Sequence, residues 1–183
     1  NFYDIFKQDD MATMDHISHP YFSGFDPGKP NNNIAAKGRD CIAMDIPLIA
    51  QWEVMMAMHQ QQNDAWIQDK LAKHKLFCLW PPARAGYRSI EVLEDAYKIT
   101  QEKGWNRPVL LTHDCYMPRV AMLARHFWPE FIISFYTITM AFDPKSVQPS
   151  TASPSPWHVY ELKARIHHLI YGWTFGYFNS GRF

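Results

Sequence analysis

Residues 107–127, with the sequence RPVLLTHDCYMPRVAMLARHF, constrain the fold of this chain more than any other segment. The apolar run at residues 109–111 is typical of a short buried strand, and the proline and apolar spacing that follow it are typical of the start of a helix. The polar cluster Thr112, His113 and Asp114 lies between the two. In open α/β sheets, ligands bind at the carboxyl ends of strands, so this segment predicts both an α/β fold and the position of a site.

Strand and helix patterns alternate along the rest of the chain. We expect strands at residues 46–50, 75–80, 109–112 and 131–138, and helices at residues 51–62, 64–74, 90–103, 118–127 and from residue 155 onward. This order predicts a parallel sheet with helices on both faces. Apolar spacing predicts that the last helix packs inward through Val159, Leu162, Ile166, Leu169 and Trp173.

The ends of the chain differ from this pattern. Residues 1–44 contain turn chemistry such as FSGFDPGKPNNN, which predicts an irregular N-terminal arm before an α/β domain at residues 45–172. Residues 173–183 form an aromatic C-terminal tail. We expect the arm and the tail to contact other protein subunits or, for the tail, a membrane interface, with packing back on its own sheet as the alternative.

Composition excludes several classes of protein. Hydrophobic residues make up 47% of the 183 residues, which predicts a folded core. The 18 basic and 18 acidic residues cancel, which argues against a nucleic acid as the main partner. No apolar run is long enough to predict a transmembrane helix. The three cysteines include no C-x-x-C pair, and the adjacent His167 and His168 point to different helix faces, so we predict no disulfide and no metal site.

The polar cluster after the third strand is the first candidate site. Thr112 and His113 can form hydrogen bonds with a ligand, and His113 is a candidate catalytic group because an imidazole titrates near neutral pH. The alternative is structural, with Asp114 capping the next helix and His113 bonded to the backbone.

Arg119 is the second candidate, because it lies just inside the helix that follows. Together with the helix N-terminus, its guanidinium can bind a phosphate or carboxylate. The alternative is a surface arginine, or one that forms a salt bridge with Glu130 or Asp143.

Further candidates follow other predicted strands. Gln51 and Glu53 come after the first strand, where Glu53 can act as an acid, base or hydroxyl acceptor, or can simply favour the first turn of a helix. Ser89 begins the next helix as a cap. The loop at residues 142–153, FDPKSVQPSTAS, offers Gln148 as a ligand-binding group if the loop is a lid rather than a plain connection.

Three segments in this order resemble the YdcF/SanA/ElyC-like domain of unknown function. The first is T-H-D-x-x-M-P-R, ending at Arg119, before a helix. The second is SIEVLEDA at residues 89–96, and the third combines FDPKSVQPSTAS with WHVYELKAR at residues 157–165. The resemblance covers about residues 45–172. It implies a Rossmann-like three-layer α/β sandwich with a mostly parallel sheet, association with the bacterial envelope, and S-adenosylmethionine or a nucleotide as a ligand.

The chain also departs from this family. Tyr116 occupies the position before Met-Pro-Arg where the family usually has histidine, and residues 1–44 contain no strand followed by a glycine-rich turn. Such a turn would be the natural cradle for an anionic ligand. These departures indicate a divergent or N-terminally degenerate member.

Two functions are therefore open. The first is a non-catalytic accessory or structural subunit of a larger assembly, associated with a membrane in an organelle such as the mitochondrion or in the bacterial envelope. The second is a protein or enzyme of envelope metabolism that binds a nucleotide, S-adenosylmethionine or an anionic sugar. Its ligand-binding residues would be Gln51, Glu53, Ser89, Thr112, His113, Asp114, Arg119 and Gln148.

Overall fold

The chain is of the α/β class. The computed structural model describes residues 26–79, 89–144 and 153–174, and these contain six helices and two two-stranded parallel sheets. The described residues divide into two compact units between Arg88 and Ser89. The first unit contains α1 (Gly28–Ala43), β1 (Leu48–Gln51), α2 (Trp52–Gln61), α3 (Asp64–Ala72) and β2 (Leu76–Leu79). The second contains α4 (Ser89–Glu102), β3 (Val109–His113), α5 (Met117–Phe127), β4 (Ser134–Ile138) and α6 (Pro154–Thr174).

Helix α2 is the centre of the first unit. Its six consecutive residues from Glu53 to Met58 are all buried, because α1, α3 and the β1–β2 pair surround it. Strands β1 and β2 run parallel, with Leu48 opposite Leu76 and Gln51 opposite Leu79. The side chain of Asn63 caps α3 by accepting a hydrogen bond from the Trp66 backbone at 2.9 Å.

The prediction of irregular structure is wrong for residues 28–43, which form α1. The Asp26 carboxylate accepts a hydrogen bond from the Gly28 backbone at 2.8 Å where the helix begins. At Gly38, an added Cβ would lie 2.8 Å from side-chain carbons of both Leu48 and Met58. The absence of a side chain there allows α1 to pack closely, and this packing outweighs the weak helix propensity of the local sequence.

The second unit is built on a β3–α5–β4 crossover. The two strands are parallel, with Val109 opposite Ser134 and His113 opposite Ile138. Pro118 lies in the first turn of α5, as predicted. At the other end of α5, the Trp128 indole donates a hydrogen bond to the Leu93 carbonyl in α4 at 3.1 Å.

The orientation predicted for α6 is wrong. Val159, Leu162 and Ile166 are exposed, whereas Trp157 and Glu161 are buried. The buried face of α6 thus carries one large aromatic ring and one carboxylate, and the carboxylate is paired with a buried arginine of α5. The side chains of Leu169 and Trp173 are outside the described part of the chain.

Several predicted features fall on residues that the structure does not describe. These are Gln148, residues 1–25 of the predicted arm, and the tail after Thr174. Within the described ranges, no helix has the length and apolar character needed to span a bilayer.

Candidate functional site

The carboxyl end of β3 positions the predicted polar cluster as expected. Thr112 is half-buried, His113 is fully buried, and Asp114 is exposed. The Asp114 backbone N–H donates to the Ile138 carbonyl at 2.9 Å, so the parallel pairing continues one residue past the strands. Both His113 and Thr112 are therefore fixed where a β-strand passes into a turn and then a helix.

Asp114 does not cap α5, in contrast to the alternative considered from the sequence. Its Oδ1 accepts hydrogen bonds from the backbone N–H of Cys115 at 2.8 Å and of Met140 at 3.1 Å. The N-cap of α5 is Tyr116, whose side chain forms no capping bond. Asp114 thus connects the segment that follows β3 to the segment that follows β4 through hydrogen bonds, which is a structural role.

Arg119 is the centre of a buried polar network. Its Nε donates to both carboxylate oxygens of Glu161, at 3.2 and 3.1 Å, and its Nη1 donates to the Ser89 hydroxyl at 2.7 Å. Arg165 also donates to Glu161 at 3.2 Å, a pairing that their four-residue spacing on one helix allows. The network connects the start of α4, the start of α5 and the middle of α6.

This network corrects the salt-bridge partner that the sequence suggested for Arg119. The guanidinium pairs with Glu161 and not with Glu130 or Asp143. The side chains of Arg119 and Glu161 are only 2% and 7% exposed, so the ion pair is in the interior. Nη2 of Arg119 is buried without a hydrogen-bond partner among the described residues.

Aromatic rings enclose the same guanidinium. The Cζ atom of Arg119 lies 5.4 Å from the Tyr116 ring centre and 5.8 Å from that of Tyr160, both within cation–π range. Tyr116 also contacts Trp157, with ring centres 4.0 Å apart. Burial raises the pKa of Tyr116 above its usual range, so this phenol stays neutral. Tyr116 therefore packs against Arg119.

The remaining predicted polar groups lie in the first unit. Gln51 ends β1 and Glu53 lies in the first turn of α2. Burial raises the pKa of the Glu53 carboxyl to about 7, an effect only partly offset by hydrogen bonds to its own backbone and to Gln51. Its Oε2 is buried and has no hydrogen-bond partner among the described residues. A carboxyl with this pKa can exchange a proton at neutral pH.

Thiol and metal chemistry receive little support in the described ranges. Burial raises the pKa of Cys115 to about 11 and that of Cys78 well above its usual value, so neither thiol is ionised at neutral pH. No group of three or more His, Cys, Asp or Glu side chains in these ranges could hold a metal ion.

The structure thus brings Ser89 and Arg119 into direct contact and places Thr112, His113 and Asp114 together at the end of β3. Gln51 and Glu53 form a separate pair in the first unit. Sequence reasoning missed Glu161 as the partner of Arg119, and it missed Tyr116, Trp157 and Tyr160 as the surrounding rings. The available signal was the four-residue spacing of Trp157 and Glu161, which places both on one helix face.

Comparison with known proteins identifies no relative. No protein-family model, curated protein sequence or solved structure matches this chain.

Proposed function

We propose that this chain is a divergent relative of the YdcF/SanA/ElyC-like domain and acts as a non-catalytic accessory or structural subunit of a larger protein assembly. The proposed fold is a Rossmann-like three-layer sandwich with a mostly parallel sheet. Supporting this fold, both described strand pairs are parallel, and each is connected through helices.

The use of Arg119 supports a structural role. In an anion-binding site, the guanidinium would be available to the ligand. Here Glu161 neutralises it, Ser89 accepts one of its hydrogen bonds, and two tyrosine rings lie against it. A group held in this way stabilises the packing of three helices, and only its Nη2 is left without a hydrogen-bond partner among the described residues.

The observation that carries the proposal is the exposure of β4. None of its residues from Ser134 to Ile138 is buried, and Ile132 and Tyr136 are 66% and 48% exposed. Parallel sheets are normally covered on both faces, and two strands rarely suffice for stability. In the described part of the chain, β4 pairs only with β3. We infer that an extended segment of a protein partner adds to the edge of β4 opposite β3 and packs beside these apolar side chains.

The experiment is light scattering coupled to size-exclusion chromatography of the full chain over a range of concentrations. Without its partner, an exposed strand edge is a template for self-pairing, so we expect association that grows with concentration. Tyr136→Lys should reduce this association, whereas Met44→Lys, at another exposed apolar position in the first unit, should not. A folded wild-type chain that is monomeric at every concentration would refute the proposal.

A small-molecule site is the second candidate, favoured by Glu53. Its buried, unpartnered Oε2 lies next to the carboxyl end of β1, where ligands bind in α/β folds. A ligand hydroxyl or amine can donate a hydrogen bond to this oxygen. Calorimetry with S-adenosylmethionine, nucleotides and sugar phosphates tests this function. Binding by the wild type that is lost in Glu53→Gln would favour it, and the absence of binding at millimolar ligand would eliminate it.

A further inference from the structure

Helix α6 presents an apolar surface to solvent on the side opposite to its buried face. Val159, Leu162, Ile166 and Ile170 are between 47% and 62% exposed, although each is a residue that folding normally buries. At 3.6 residues per turn these four side chains fall within an arc of about 80°. The buried Trp157 and Glu161 lie on the other side of the helix, so α6 packs against its unit through that face.

Basic side chains flank this apolar arc on both sides. Counting about 100° per residue, His158 and Arg165 lie along one border of the arc and Lys163 along the other. All three are exposed. Long basic side chains at such borders can extend their charged ends toward anionic groups while their methylene stems remain against apolar surface.

No exposed acidic group balances these charges on α6. The only acidic residue of the helix is Glu161, and it is buried between Arg119 and Arg165. The single carboxylate of Glu161 is shared by both guanidinium groups, so it only partly compensates the exposed Arg165, and Lys163 adds a second positive charge on this side of the helix. The outer side of α6 is therefore apolar at its centre and positive at its borders.

We propose that α6 lies in the interface of an anionic lipid bilayer, with its axis parallel to the membrane plane and its apolar arc among the acyl chains. Helices of this kind bind through buried apolar area together with electrostatic attraction to anionic headgroups. A second copy of the chain is a poorer occupant. Pairing two α6 helices by this face would bring basic borders together, with no exposed carboxylate on either helix to neutralise them.

Vesicle co-flotation of the full chain tests the proposal. One set of vesicles contains phosphatidylcholine alone, and the other contains phosphatidylcholine mixed with phosphatidylglycerol. We expect binding to the anionic vesicles that weakens as salt is added. Lys163→Gln should lower the partition coefficient about fivefold, the contribution of one basic side chain near such a surface. Leu162→Gln should lower it about tenfold or more, because the leucine no longer enters the apolar phase.

Matched variants in the first unit provide the controls. Met44→Gln removes a similarly exposed apolar side chain, and Lys29→Gln removes an exposed charge, so neither should change binding. Equal binding to neutral and anionic vesicles would overturn the proposal, as would no binding by a chain that circular dichroism shows to be folded. Dimers that Leu162→Gln dissociates, without vesicle binding, would identify a second copy as the occupant and also overturn it. The two proposals are tested by different variants, because Lys163→Gln and Leu162→Gln report on vesicle binding whereas Tyr136→Lys reports on association through β4.

Discussion

The buried ion pair between Arg119 and Glu161 is the interaction whose loss should most destabilise the second unit. Glu161→Gln keeps the shape of the side chain and one acceptor oxygen but removes the charge that compensates Arg119. The Arg119 side chain is 2% exposed, so water cannot replace the lost carboxylate. Removing one partner of a buried pair costs about 3–5 kcal/mol. Because whole domains are stable by only about 5–15 kcal/mol, a loss of this size should be easily measured.

The assay is urea unfolding of the full chain followed by far-ultraviolet circular dichroism, with the free energy of unfolding extrapolated to water. Arg165→Ala is the matched control because it removes the other cation on Glu161. Its side chain is 45% exposed, so we expect a loss of at most about 1 kcal/mol. The double variant Arg119→Met, Glu161→Leu should recover most of the stability lost in Glu161→Gln, because it leaves no buried charge.

The reasoning would be refuted if Glu161→Gln and Arg165→Ala cost the same small amount. That result would mean that Arg119 reaches solvent or another anion and does not depend on Glu161. A double variant less stable than Glu161→Gln would separately show that the pair provides packing that apolar side chains cannot replace.

Three further predictions concern local features of the fold. Burial raises the pKa of Glu53 from 4.5 to about 7, so between these pH values the folded state holds a proton that the unfolded state has released. The free energy of unfolding should therefore fall as the pH rises through this range, by about 3 kcal/mol in total. Unfolding midpoints at several pH values should show this slope, and Glu53→Gln should remove it; an unchanged slope in the variant would assign it to another group. Asn63→Ala removes the cap of α3 and should cost about 1 kcal/mol in urea unfolding, whereas Asn63→Ser should retain most of that stability. Gly104 ends α4 with a φ of 66°, and an added Cβ would meet nothing within 4 Å. Gly104→Ala should therefore lower the free energy of unfolding by about 1 kcal/mol through backbone strain alone. An unchanged free energy of unfolding would contradict the left-handed conformation.

Local chemistry explains why much of the fold could be predicted. The strand at residues 109–112 was recognisable because an apolar run ends at a polar cluster, and α5 because Pro118 suits a first helical turn. The capping of α3 by Asn63 and the end of α4 near Gly104 likewise depend on interactions within a few residues. The expected candidate residues at the end of β3 are together for the same reason, since their spacing is fixed by one strand.

Interactions between distant residues decided the rest. The polar content of residues 28–33 predicted a loop, but packing of α1 through Gly38 against Leu48 and Met58 makes the segment helical. The partner of Arg119 lies 42 residues away on another helix, a distance over which spacing carries no information.

From residue 46 onward, the amino-acid sequence by itself determined the order of strands and helices and which residues of α6 share a face, because helical period and capping are local properties. Only the tertiary structure decided which face of α6 is buried. Trp157 and Glu161 face the interior because the carboxylate compensates the buried charge of Arg119, and this leaves Leu162 and Ile166 in solvent. The spacing of apolar residues alone favours the opposite orientation, because it contains no information about a buried cation on a different helix.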